Sequence, residues 1–362
     1  MRSAGALLRP LELPARADAG PSPAIRAYAA VRNASILEST GRDDDALSAE
    51  SLLPSLYSNA DRERRQWGID LDGDLVGCCA LDISHDDAGE TAVVTVAVLH
   101  RAAGQRIGSA AYAYVESVAR EAGVRKLLHW CEHHDEHGAA FPPLASPTGF
   151  GSVPADRPAR FLTRNGFRLE QVERASALTW STATRAHLEV LQADAAAHAA
   201  GYRVLRWSIP TPEAYVAGYA WMKSRMSTDV PDGDVGTPEE EWDEERVRRQ
   251  EERITRRGWS MRVTAAQHVG TGELCAFNEL AIGPDASGST HQYDTLVLAA
   301  HRGHRLGMLV KTAGLLAWRD EHPESPKVIT YNAEENRPML SINEAIGFAP
   351  IAYEGVWRKD LT

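Results

Sequence analysis

No apolar run in this 362-residue chain approaches the ~20 residues needed to span a bilayer. The apolar part of its opening stretch, "MRSAGALLRPLELPARADAG", is too short and too interrupted for a secretory signal. No membrane partner is therefore expected. Cysteine is scarce: Cys78, Cys79, Cys131 and Cys275 are the four. Two are adjacent and none forms a C-x-x-C, which speaks against a disulfide framework and a zinc ribbon and fits a reducing cytoplasm. Positive charge is in deficit as well, 39 Lys and Arg against 50 Asp and Glu, for a net charge of -11. Phosphate neutralisation needs clustered basic residues, so no nucleic-acid partner is expected. Neither the Gly-Lys-Ser/Thr of a Walker loop nor a G-x-G-x-x-G dinucleotide fingerprint occurs.

What the chain does contain, it contains twice. Gly104-Gln105-Arg106-Ile107-Gly108 and Gly303-His304-Arg305-Leu306-Gly307 share one pattern, each after a β-branched apolar run ("TAVVTVAVL", "YDTLVLA") and before a proline-free helical stretch. A further strand follows each helix ("RKLLHWC", "KVITYN"). Then come Asx-Arg-Pro, a short helix and Gly-Phe ("DRPARFLTRNGF", "NRPMLSINEAIGF") and a closing strand. The repeated order predicts an α/β chain of the α+β type, with two tandem domains of mixed, mostly antiparallel sheet flanked by helices. The expected boundaries are residues 1–183, a linker helix at 184–201, and 202–362. The first half carries a turn-rich insertion within "EHGAAFPPLASPTGFGSVPAD". The stretch "TPEEEWDEERVRRQEERITRRG" reads as a capped helix with a solvated charged face.

A strand that turns through glycines into a helix N-terminus aims several free N–H groups and the positive end of the helix dipole at one spot. That is an anion site, and a pyrophosphate suits it. Gly303 and Gly307 let a ligand approach the backbone, and Arg302 and Arg305 add donors.

These features resemble the GNAT N-acetyltransferases, whose signature is [QR]-x-x-G-x-[GA] after the fourth strand and a Gly-Phe-ended helix after the fifth. "RGHRLG" with "TYNAEENRPMLSINEAIGF" carries the resemblance in the second half, and "AGQRIG" with "ARFLTRNGF" carries it more loosely in the first. Two such domains in one chain resemble the tandem arrangement of mycothiol synthase and its relatives. Arg106 and Arg305 stand where the family has glycine, and Ala103 where it has Gln or Arg. The resemblance implies a thioester donor, acetyl-CoA or another acyl-CoA, between the splayed fourth and fifth strands. Its pyrophosphate would lie on Arg302, Gly303, His304, Arg305, Leu306 and Gly307. The N–H groups of Leu296, Val297 and Leu298 would hold the pantetheine arm and polarise the thioester carbonyl. Asn332 and Asn336 are expected cofactor or cap contacts, with Asn336 equally suited to a plain N-cap.

An amine acceptor must lose a proton to a base. In this family the base commonly sits early on the fourth strand, which points to His291, then Asp294, then Glu279 on the neighbouring strand. By period two, His291, Tyr293 and Thr295 share one face and Asp294 takes the other. The family's usual acid, a Tyr four residues before the Gly-Phe glycine, is replaced by Asn343 in the second half and Leu162 in the first. The stretch "HWCEHHDEHG" gathers His129, Cys131, His133, His134, Asp135 and His137 without a complete ligand spacing, so no metal is expected.

The leading reading is an acyl-CoA-dependent N-acyltransferase for a small-molecule amine, with the second domain catalytic. The alternatives are an acyl carrier protein as thioester donor in natural-product biosynthesis, and a non-catalytic CoA-binding scaffold.

Overall fold

The computed structural model describes residues 6–134 and 140–361. In chain order the elements begin with β1 (Ala6–Pro10), α1 (Pro23–Thr40), α2 (Ala49–Leu52), β2 (Arg62–Leu71), β3 (Asp74–Ser84) and β4 (Thr91–Val98). They continue with α3 (Ile107–Glu121), β5 (Lys126–His133), β6 (Pro143–Ala145), β7 (Ser152–Pro154), α4 (Arg157–Arg164) and β8 (Arg168–Thr179). Next come α5 (Thr182–His198), β9 (Tyr202–Ser208), α6 (Glu213–Asp229), α7 (Glu244–Arg256), β10 (Ser260–His268) and β11 (Leu274–Ile282). The chain ends with β12 (Thr290–Val297), α8 (Leu306–Glu321), β13 (Lys327–Ala333), α9 (Arg337–Ile346) and β14 (Ala349–Asp360).

Two compact units result. The first comprises Met1–Glu173, Asp232–Pro238 and Ala352–Thr362; the second comprises Arg174–Pro231 and Glu239–Ile351. In the first unit β1 through β4 pair antiparallel in sequence order, β4 pairs β5 in parallel, and β5 pairs β14 antiparallel. One helical stripe closes its core: Ile107, Ala111, Val115 and Ala119 recur every four residues along α3 and are all buried. They meet Leu81, Val94 and Leu127 from the sheet. Burying each such Val, Leu or Ile contributes ~1.5–3 kcal/mol.

In the second unit β9, β10, β11 and β12 pair antiparallel, and β12 pairs β13 in parallel. Here α8 is buried almost all round from Leu306 to Leu316, against the sheet and α5. α9 starts as its sequence predicts: the Asn336 side chain accepts from the Met339 N–H, Pro occupies the first turn, and Gly347 ends the helix at φ 109°.

Three details differ from expectation, and a fourth, the fold of the insertion, adds to it. The closing strand of the second half contributes Ala352 onward to the first unit, and the chain leaves the first unit within β8, at Glu173. The stretch expected as a linker is α5, a working part of the second unit whose Leu188 and Ala195 are fully buried. The insertion folds its proline- and glycine-rich part into the β6–β7 hairpin. Finally, the charged helix α7 is capped by Asp243 but buries Arg246 and Glu251, and Glu251 accepts the Thr211 N–H at 2.7 Å.

Candidate functional site

In both units the parallel strand pair separates after three residue pairs. β12 and β13 pair at Thr290–Val328, His291–Ile329 and Gln292–Thr330, and β4 and β5 pair from Thr91–Lys126 to Val93–Leu128. Beyond those points the facing edges of β12 and β4 lose their strand partner, which leaves main-chain groups for something else to satisfy.

The two openings differ. β12 carries a bulge: Asn278 pairs Thr295 but Leu280 pairs Gln292, so Tyr293 and Asp294 together oppose Glu279. A bulge bends a strand and re-aims its side chains. β4 has no such irregularity, its register with β3 being constant from Gly77–Val98 to Ile83–Ala92. Moreover, the imidazole of His129 on β5 bonds the Val94 carbonyl at 2.6 Å, at the start of the first unit's opening. Burial lowers the His129 pKa and favours the neutral ring.

The bulge changes which residues meet. Asp294 turns onto the face of Glu279, while Thr295 takes the opposite face, where its hydroxyl accepts from Asn278 at 2.9 Å. Two residues of α6 that sequence reasoning passed over complete the group. The Lys223 ammonium donates to Glu279 at 3.0 Å and also to Asp294, and the Tyr219 hydroxyl donates to Glu279. Lys223 and Glu279 are almost fully buried, whereas the Asp294 side chain keeps 35% of its exposure. Burial alone would depress the Lys223 ammonium, but the carboxylates of Asp294 and Glu279 outweigh it and hold its pKa above the usual lysine range. Burial raises the Glu279 carboxyl, and Lys223 offsets this only in part. The other oxygen of Glu279 is buried and accepts no hydrogen bond from the described residues. The His291 ring is tilted against Trp259 and stacked on Tyr293.

The glycine loop leads from β12 into α8. Arg305 takes the left-handed conformation at φ 54°, as Arg106 does at 59°, which is why the family's glycine is natural at this position. The half-exposed Arg305 guanidinium pairs with Asp194 of α5. Gly303, at φ 87°, has open space where a side chain would begin. Gly307 does not: a Cβ there would meet Ile342 at 3.0 Å and Val297 at 3.5 Å, so this glycine serves close helix packing. His304 leans on Tyr202. Neither α8 nor α3 has a side-chain cap, unlike α1, α4, α5, α7 and α9. Their first N–H groups are therefore available to an anion.

Among the expected backbone contacts, the Leu298 N–H is already bonded to the Cys275 carbonyl at 2.9 Å. By the alternation of an antiparallel pair, Leu296 also turns its N–H toward β11, and Val297 turns its own toward the opening. Arg302 donates to the Val297 carbonyl at 3.3 Å. Asn336 is occupied as a cap. Asn332 and Asn343 are joined, Nδ2 of Asn343 donating to Oδ1 of Asn332 at 2.7 Å.

Residues 31–141 match the acetyltransferase (GNAT) family. The whole chain superposes on a tandem GNAT protein from the clavulanic acid biosynthesis pathway, with TM-score 0.72 and 21% identity over 98% of each chain. It also superposes on a GCN5-related N-acetyltransferase from Sphaerobacter thermophilus, with TM-score 0.60 and 16% identity over 99% of this chain and 96% of that one. The fold is that of a tandem GNAT protein. No curated protein matches the chain by sequence.

The family match falls on the first unit of this tandem GNAT fold, the one whose β4 lacks a bulge. Leu162, at the usual acid position of that unit, is a core residue at 3% exposure. The histidine-rich stretch is otherwise engaged: His133 bonds Asp156 at 3.0 Å, and burial raises the Cys131 thiol well above its usual range. Asp135 and His137 lie outside the described residues. Among the described residues, Glu273, Cys275 and His301 form a group spaced to hold a metal ion. The His301 ring bonds the Tyr202 hydroxyl at 2.9 Å. No described helix is long and apolar enough to cross a membrane.

Proposed function

We propose that the protein is an acyl-CoA-dependent N-acyltransferase and that its second unit transfers an acyl group, in the simplest case acetyl, to a small-molecule amine. The observation that carries this reading is the bulge at Tyr293–Asp294. It lies where β12 and β13 have stopped pairing, on the strand that leads to the Arg302–Gly307 loop, and brings Asp294 onto the face of Glu279 beside the opening. The uncapped N-terminus of α8, the open surface at Gly303 and the exposed Arg302 fit a pyrophosphate. The Val297 N–H, aimed into the opening, fits an amide of the pantetheine arm or the oxyanion that develops on the thioester carbonyl.

On this reading Glu279 and Asp294 act as one unit bridged by Lys223. Asp294, the exposed end, receives the proton of the incoming amine, directly or through water. Glu279, buried behind Asp294 and held by Lys223 and Tyr219, keeps the ammonium in place against Asp294. His291 is proposed to line the acceptor's approach with Trp259. The first unit is proposed as a structural partner with weak or no cofactor binding, because its β4 is unbulged and His129 is bonded across its opening.

Incubation with acetyl-CoA and a panel of primary amines, read as release of free thiol, tests the reading. A scaffold releases none with any amine. If a pantetheine thioester without the nucleotide is turned over as well as acetyl-CoA, a carrier-protein donor is favoured instead.

A further inference from the structure

The transfer described above leaves one buried cation unused. Lys311 sits in α8 at 1% exposure and donates from Nζ to Oδ1 of Asn343 at 2.9 Å. Asn343, also 1% exposed, donates in turn to Oδ1 of Asn332. Asn332 is half-buried on β13, two residues beyond Thr330, where pairing with β12 has stopped. The series therefore runs from the helix interior to the wall of the opening.

Its direction is set by chemistry. In its charged form a lysine side chain has donors and no acceptor, so the ammonium makes Asn343 turn its oxygen to Lys311 and its NH2 group to Asn332. Asn332 must then accept with its oxygen, which leaves its own NH2 group as the pole it can offer elsewhere. Without the lysine, either amide could flip. Burying a lysine is costly, and at this site burial drives its pKa down to about 7 with no neighbouring charge to counter it. A methionine or leucine would fill the same volume without that cost.

We propose that Lys311 is a positioning residue for departure of the thiolate: acting through Asn343, it holds Asn332 with its NH2 group presented to the leaving sulfur. This rests on the second unit being the transferase. In the step itself the amine nitrogen forms the C–N bond, and the C–S bond breaks with its electron pair on sulfur. The amine's proton passes to Asp294. Asn332 gives the thiolate a hydrogen bond and no proton, and the sulfur is protonated afterwards from water. The series supplies donors where the family's tyrosine is replaced by Asn343.

The test compares acetyl-CoA with its selenoester analogue, using hydroxylamine as the acceptor, in the full-length wild type, Lys311→Met and Lys311→Arg. A selenolate is the weaker base and needs less help in leaving. Assayed at pH 6, where Lys311 is charged, Lys311→Met should lower kcat for acetyl-CoA by about ten-fold, the loss of a charge-assisted donor, with KM unchanged. The deficit should shrink toward unity with the selenoester, and Lys311→Arg should recover part of it. Asn332→Ala, at a half-exposed position, asks the same question if Lys311→Met does not fold. Equal losses on both donors would mean a structural role and overturn the proposal. A wild type that releases no thiol would instead overturn the transferase reading, and this inference with it.

Discussion

Replacing Lys223 with methionine should unfold the second unit more readily than any surface change, and the structure sets the size of the effect. The ammonium is buried and bridges two carboxylates, one of them Glu279 at 1% exposure. Removing it leaves Glu279 in a low-dielectric site with, among the described residues, only the Tyr219 hydroxyl to donate to it. Deleting one partner of a buried pair typically costs ~3–5 kcal/mol, because the other charge stays behind uncompensated. For a unit of this size that is a fall of the order of 10 °C in Tm. The variant should also show a stronger pH dependence than the wild type, in which Lys223 offsets part of the rise in the Glu279 pKa. Its Glu279 would remain protonated in the fold above the usual carboxylate range, while the unfolded chain ionises. The unfolded state then binds fewer protons, so stability falls as pH rises from the carboxylate range toward neutrality. Adding Glu279→Gln removes the stranded charge and should restore at least half of the loss. Urea denaturation of the single and double variants at pH 5 and pH 8 measures all three effects. A cost under about 1 kcal/mol, or a double variant no better than the single, would refute the account of this group.

Other consequences are as direct. Lys311 has a pKa of about 7 in the fold against about 10.4 when unfolded, so between these values the unfolded chain binds one more proton. Wild-type stability should therefore rise by ~1.4 kcal/mol per pH unit from pH 7 to 9 from this residue, and Lys311→Met should lack that slope in urea titrations. Asp294→Asn should lower kcat by about 10²–10⁴ with KM for acetyl-CoA unchanged in steady-state assays, as loss of a general base does. Gly307→Val should cost ~1–3 kcal/mol in thermal unfolding through its clash with Ile342, whether or not CoA is present.

The repeated element order was legible because it rests on local signals: β-branched runs, the Asx and Pro at the start of α4 and α9, and the glycine after each. Asn336 as a cap could be named for the same reason, whereas Asp294 and Glu279 as candidate bases came from the family resemblance. The bulge could not. It is a register slip between β11 and β12, and period-two reading assumes there is none, so Asp294 was assigned to the wrong face. Lys223 and Lys311 look like ordinary solvent-facing residues of amphipathic helices, and only the packing around α6 and α8 makes them buried. The closing strand has the pattern of a strand whichever sheet it joins, and nothing local in "IAYEGVW" reports that it completes the first unit. Arg305 shows a further limit, since its pairing with Asp194 depends on where α5 lies.

Calorimetric titration of CoA into three proteins tests the central claim most directly. Arg302→Glu reverses one exposed charge in the loop before α8, and Ala103→Glu places the same charge at the matching position of the first unit. A charge-assisted phosphate contact contributes ~1.5–3 kcal/mol, so Arg302→Glu should weaken CoA binding at least ten-fold to a hundred-fold. Ala103→Glu should bind as the wild type does, with one site per chain. Loss of binding in Ala103→Glu with retention in Arg302→Glu would place the cofactor on the first unit and contradict the account.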